Sequence, residues 1–343
     1  MQIEKANTAA VLVEVRELCT YFQLTEGTVR AVDGASFTIH TARILGVVGE
    51  SGCGKSVMAR SIMNMIRKPG RIVAGQILYH RRKDGPLAQA EQVLDLVQLP
   101  PMGEEMRAIR GGEFAMIFQE PKASFSPVHT IGSQIIEAIM LHQKLSRTEA
   151  GEEAVEMLRR VNIPNPEERI HAYPHQLSGG MCQRAMIALA LSCRPDLLIA
   201  DEPTTALDVT TEAQILDLMR ELQETYHTAV MYITHNLAVL AEIADKVVVM
   251  YMGRDVEHAS TEEIFHNPLH PYTRALLRSI PRIDQNVEEL AVIRGRVPDP
   301  YAIPQGCPFH PRCGSRKTEC TTGVEVPSVA VSPGHWVRCH LYS

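Results

Sequence analysis

Residues 49–56 of this 343-residue chain read Gly49-Glu-Ser-Gly-Cys-Gly-Lys-Ser56, a spacing suited to gripping phosphate. Gly49, Gly52 and Gly54 let the backbone curl so that successive N–H groups face an anion, and a following helix would add its N-terminal partial charge. Lys55 would then reach the β- and γ-phosphates of a nucleotide and Ser56 would ligate Mg²⁺, with Glu50, Ser51, Cys53 and Val57 completing the cradle. Without a strand before it and a helix after it, the same string is a tight turn with an incidental lysine. Farther on, Leu197-Leu-Ile-Ala-Asp-Glu-Pro203 carries two adjacent acids at the end of an apolar run, where open α/β sheets bind ligands. Asp201 suits the Mg²⁺ hydration shell, and Glu202 suits polarising an attacking water. Adjacent acids at a strand end are otherwise solvated loop charges; the phosphate turn makes this pair a candidate.

A second anion cradle stands at Leu177-Ser-Gly-Gly-Met-Cys-Gln-Arg184, where Ser178, Gly179 and Gly180 would offer a hydroxyl and N–H groups at a helix N-terminus. This string resembles the LSGGQ signature of ABC ATPases, with Met181 replacing the usual Gln. The resemblance implies that the signature of one cassette closes on the ATP held by another, so a second cassette is required. Other family marks stand in the same order. Gln119 resembles the Q-loop residue that touches Mg²⁺ and water, Ala206-Leu-Asp208 the D-loop, and His235 the switch histidine at the γ-phosphate. Alignment on Leu18 puts Phe22 on the adenine ring, with Tyr21 the neighbouring candidate; core packing of both rings is the alternative.

These residues need rigid carriers. Val11–Val15 and Ser36–His40 alternate as strands, Ile44–Val48 reads as a buried strand, and Ser56–Ile66 reads as a helix. Short apolar runs at 113–118, 197–200, 229–234 and 247–250 predict further strands, several with helices between them, hence a mostly parallel sheet covered on both faces. Residues 131–169 have helical period, broken by Pro164 and Pro166. The fold expected is α/β with a helical insertion, and the ABC resemblance implies a P-loop NTPase ABC cassette with a RecA-like core and an antiparallel β subdomain. The cassette is expected over 1–265, with its helical subdomain about 124–185. A loop-rich, cysteine-containing C-terminal module is expected over 266–343.

Apolar residues make up 45% and charged residues 22% of the chain, enough for a packed core. The net charge of −6 argues against a nucleic-acid face. No apolar run approaches the about 18 residues that span a bilayer, and the N-terminus lacks a signal-peptide layout. The chain is therefore expected in the cytosol, with any membrane work done through partners; the resemblance to ABC ATPases implies a peripheral place at the cytoplasmic face of the cell membrane. Cys307, Cys313, Cys320 and Cys339 crowd the end of the chain with spacing C-x5-C-x6-C-x18-C, which lacks the tight pairs of zinc ribbons. Four thiolates serve a 4Fe-4S cluster, zinc, or no ligand at all.

His171-Ala-Tyr-Pro-His-Gln-Leu-Ser-Gly-Gly-Met181, Asn267-Pro-Leu-His-Pro-Tyr-Thr-Arg-Ala-Leu-Leu277 and Gly306-Cys-Pro-Phe-His-Pro-Arg-Cys313 resemble the dipeptide and oligopeptide importer branch. Ser124-Phe-Ser-Pro127 departs from that branch's Leu-Asn-Pro type sequence. The resemblance implies ATP and Mg²⁺, a 4Fe-4S cluster on the four tail cysteines, two transmembrane permease subunits and an extracytoplasmic solute-binding protein. Cargo would be di- or oligopeptides, with nickel or oligosaccharide as alternatives. A soluble ABC ATPase acting on nucleic acid is a further alternative, disfavoured because no sustained heptads lie between Lys55 and Ser178.

Overall fold

The computed structural model describes residues 10–81, 92–204, 208–280 and 293–343. In chain order these form β1 (Val11–Leu24), β2 (Gly27–His40), β3 (Ile44–Val48), α1 (Lys55–Ile62), β4 (Gly70–Arg81) and β5 (Gln92–Asp95). Next come α2 (Glu104–Gly112), β6 (Phe114–Ile117), α3 (Pro121–Ser124), α4 (Ile131–His142), α5 (Arg147–Arg160), α6 (Pro166–Arg169) and α7 (Gly179–Leu191). Then follow β7 (Leu197–Asp201), α8 (Val209–Tyr226), β8 (Ala229–Thr234), α9 (Leu237–Ile243), β9 (Lys246–Tyr251) and β10 (Arg254–Ser260). The chain ends with α10 (Thr261–His266), α11 (Pro271–Arg278), β11 (Ser328–Ser332) and β12 (His335–Arg338). Two compact units are described in turn: residues 1–13, 38–44 and 78–231 make the first, and 14–37, 45–77 and 232–343 the second.

In the first unit, β6 and β7 run parallel, with Phe114 opposite Leu197 and Ile117 opposite Ala200. Their starts are locked together by a buried network. The Glu113 carboxylate accepts two bonds of 2.9 Å from Arg81 and one of 2.7 Å from the Tyr79 hydroxyl, which also reaches Asp196 at 2.8 Å. Satisfying a buried carboxylate this fully is what makes it tolerable there. The helical insertion packs α4, α5 and α7 together. Ile131, Ile135 and Ile139 of α4 and Ala150, Ala154, Met157 and Leu158 of α5 form their apolar stripes at helical spacing. The helical stretch expected over 131–169 is three helices, because Ser146 and Glu149 form a capping box that starts α5 afresh.

In the second unit, β3 runs parallel to β9, β10 is antiparallel to β9, β12 to β10, and β11 to β12. Every residue of β3 is buried, as a strand covered on both faces requires. The early strands are longer than the alternation suggested: β1 and β2 are 14 residues each. Helix α1 ends at Ile62, short of Ile66, where Asn64 takes a left-handed φ of 48°. The tail is not loops alone, since β12 pairs Val337 with Glu257 and Trp336 with His258 on β10. Among the described residues no helix is long and apolar enough to cross a membrane.

Candidate functional site

The phosphate turn connects β3 to α1, the context its sequence demands. A Cβ on Gly49 would lie 2.3 Å from the Met250 carbonyl oxygen, and one on Gly54, at φ 102°, would lie 2.0 Å from that of Ala31, so only glycine fits either position. Lys55 is buried, and its Nζ donates to the carbonyl oxygens of Gly49 at 2.8 Å and Glu50 at 3.2 Å. Ser51 and Gly52 form the exposed rim, while Ser56 and Val57 lie in the first turn of α1. Cys53 is buried beneath the turn, and burial raises its thiol pKa.

Two residues from the C-terminal part of the chain hold Glu50, and neither was among the residues expected to build the site. The Glu50 N–H donates to the Tyr272 hydroxyl at 2.9 Å. The Glu50 carboxylate accepts both arms of the Arg312 guanidinium, at 2.6 and 2.9 Å. The only hint in the sequence was the presence of each residue inside a family-like tail motif, which carries no indication of a partner.

In the first unit, the ends of β6 and β7 bring two expected catalytic residues together: Gln119 Nε2 donates to Glu202 Oε2 at 3.2 Å. Asp201 is buried at the last position of β7. Glu202 adopts φ 48°, a left-handed conformation uncommon for a side-chain-bearing residue and found preferentially at functional positions.

The second cradle is a helix start. Ser178 caps α7, its Oγ accepting from the Met181 N–H at 3.2 Å. Ser178 and Gly179 are exposed, and a Cβ on Gly179 would meet nothing within 4 Å. A Cβ on Gly180 would lie 3.2 Å from Thr211 of α8. Asp208 caps α8 and accepts from the Thr211 N–H at 3.0 Å and hydroxyl at 2.8 Å, which lowers its pKa. Ala206 and Leu207 lie outside the described residues.

Tyr21 and Phe22 are both half-buried on β1. The Tyr21 hydroxyl donates to Asp33 at 2.5 Å, and the Arg30 guanidinium carbon lies 5.6 Å from its ring centre. Phe22 packs so closely on Gly70 that a Cβ there would lie 2.5 Å from the ring. His235 is exposed just beyond β8, next to Asn236, which caps α9.

The four tail cysteines are not paired as disulfides. Cys307, Cys320 and Cys339 are buried and Cys313 is half-buried. Burial pushes the Cys307 thiol up to about 11, and the neighbouring Cys320, Cys339 and Cys313 add to the shift. Burial likewise raises Cys313 and Cys339. A bound cation reverses this preference for the protonated form and releases the protons. Among the described residues no set of three or more His, Cys, Asp or Glu side chains converges closely enough to hold a single metal ion.

Comparison with known proteins places this geometry in a family. A family model described as "ABC transporter" matches residues 32–205, and one described as "Oligopeptide/dipeptide transporter, C-terminal region" matches 256–320. "Oligopeptide transport ATP-binding protein AppD" of Bacillus subtilis (strain 168) is 45% identical over 97% of this chain and 97% of its own length. The chain belongs to the ATP-binding subunits of the oligopeptide/dipeptide ABC transporter family. Such a subunit is an ABC-type ATPase coupled to transport. "Dipeptide transport ATP-binding protein DppD" of Escherichia coli (strain K12) is 44% identical over 96% of both chains. The ABC transporter cassette MJ0796, solved as a dimer, shares the fold of this family member at TM-score 0.62 and 22% identity. That match covers 73% of this chain and 99% of that chain.

Proposed function

We propose that this subunit powers import of di- or oligopeptides from the cytoplasmic face of the cell membrane. It would act as one of two cassettes under two permease subunits, supplied by an extracytoplasmic solute-binding protein. The observation that carries the cargo is that relatives named for oligopeptide and dipeptide transport align along almost the whole chain, with the C-terminal region matching as well. The dimeric MJ0796 cassette supports a paired arrangement.

In this reading ATP is held by the turn Gly49–Ser56 with Val57, Lys55 binds its terminal phosphates, and Ser56, Gln119 and Asp201 serve Mg²⁺. Glu202 polarises the water, His235 contacts the γ-phosphate, and Phe22, with Tyr21 beside it, stacks on adenine. Ser178, Gly179, Gly180 and Asp208 act on the nucleotide of the other cassette. The division is 1–265 for the cassette, with a helical subdomain about 124–185, and 266–343 for the extension.

Cys307, Cys313, Cys320 and Cys339 would hold a 4Fe-4S cluster. Three buried thiols and one half-buried thiol in a single tail supply the four cysteine ligands that a cubane takes. When bound, the cluster cross-links a tail with little core of its own.

The cargo is tested by reconstituting the subunit with its permeases and measuring ATP-driven uptake of labelled di- and oligopeptides. Uptake of nickel or an oligosaccharide with no peptide uptake overturns the assignment.

A further inference from the structure

We propose that Arg312 is a positioning residue for ATP hydrolysis, acting through Glu50 to set the charge and shape of the phosphate-binding turn. The proposal rests on the ATP-site reading above.

Glu50 is the second residue of the turn, and a carboxylate there is electrostatically wrong for a loop that must collect a triphosphate. Arg312 removes the conflict. Its fork takes both carboxylate oxygens, at 2.6 and 2.9 Å, and its side chain is only 3% exposed against 25% for Glu50, so the pair is partly shielded from solvent screening. The peptide of the same residue is fixed too. Its N–H is held by the Tyr272 hydroxyl and its carbonyl oxygen accepts from Lys55 Nζ, so a shift of Glu50 is a shift in the seat of Lys55.

Arg312 is itself immobilised. Its guanidinium carbon lies 5.9 Å from the ring centres of both Tyr251 and Phe309, and Tyr251 Oη accepts at 3.4 Å. The carbonyl oxygens of Arg294 and Ile293 accept from it at 3.1 and 3.4 Å. A lysine carries the charge but cannot make the two-point grip.

The test uses the full chain assembled with its partner subunits, reading ATP KM, kcat and the affinity for a fluorescent ATP analogue. Arg312→Ala is expected to raise KM and weaken analogue binding by about tenfold, with a smaller change in kcat, because the turn grips ground and transition states alike. Arg312→Lys should fall between. In a Glu50→Gln background the carboxylate that needs neutralising is gone, so Arg312→Ala should then raise KM less than about twofold. A merely structural tie would lower Tm while leaving KM untouched. Unchanged KM in Arg312→Ala, or an equal rise with and without Glu50→Gln, overturns the proposal. If Arg312→Ala does not assemble, Arg312→Gln and Arg312→Lys take its place, and wild-type KM in both overturns it equally. Lys55→Ala is run alongside: normal analogue binding in that variant sinks the ATP-site reading itself, which is a separate outcome.

Discussion

Gln119 and Glu202, 83 positions apart in sequence, meet at 3.2 Å because β6 and β7 run parallel and end at the same level. The amide donates to one carboxylate oxygen and so restrains the Glu202 side chain. A side chain in a left-handed residue, steadied by a neighbour, is a directed carboxylate rather than a swinging one.

Glu202→Gln is therefore expected to cut steady-state phosphate release by about 10²–10⁴-fold, the usual worth of a positioned general base. Size-exclusion chromatography with ATP should show trapped cassette pairs. Wild-type turnover in this variant refutes the role given to Glu202.

Gly179→Asp separates fold from function. Gly179 has open space around it and sits at the start of a 13-residue helix, where an acid is stabilising. Tm should hold or rise, while ATPase activity drops by at least about 100-fold because a negative charge is placed beside the N–H groups proposed to face the partner's phosphate. Calorimetry and phosphate release on the same preparation give both readouts. Retained activity would falsify the trans arrangement.

Stability should bend with pH at the Glu257–His335 pair. Glu257 is raised by burial but more strongly lowered by His335 at 2.8 Å, Thr273 and the N–H groups of Leu269 and His270. His335 is raised, first by Glu257 and further by Glu263 at 3.4 Å. The His335 contribution is complete below the ordinary imidazole value of 6.5 and fades as pH climbs through the raised one. That of Glu257 is complete above the ordinary 4.5 and fades as pH falls through the lowered one. His335→Gln should cost about 3 kcal/mol near pH 6 and flatten the alkaline decline in Tm. A parallel decline in both proteins rules the pair out as its source.

Protein purified without oxygen should be brown, and Ser replacing any one of Cys307, Cys313, Cys320 or Cys339 should bleach it and lower Tm. A colourless protein carrying one zinc per chain reverses the assignment.

The phosphate turn and its strand were legible because a continuous apolar run followed by glycines and lysine is a local pattern. So was the parallel core, whose strands are largely apolar and are buried end to end. The grip on Glu50 was not. Tyr272 and Arg312 lie 222 and 262 positions away, and only the folded chain brings a distant donor to a given acid. The β11–β12 hairpin hid for a different reason: at five and four residues, amid prolines, its alternation is too brief to separate from loop.

The pairing of Val337 with Glu257 has a practical side. A chain truncated before Ser328 would leave β10 as a bare sheet margin, its amides and carbonyls open to any passing strand. Trimming the tail to obtain a minimal cassette thus invites self-association, and the losses seen in such a fragment would report clumping as readily as impaired chemistry.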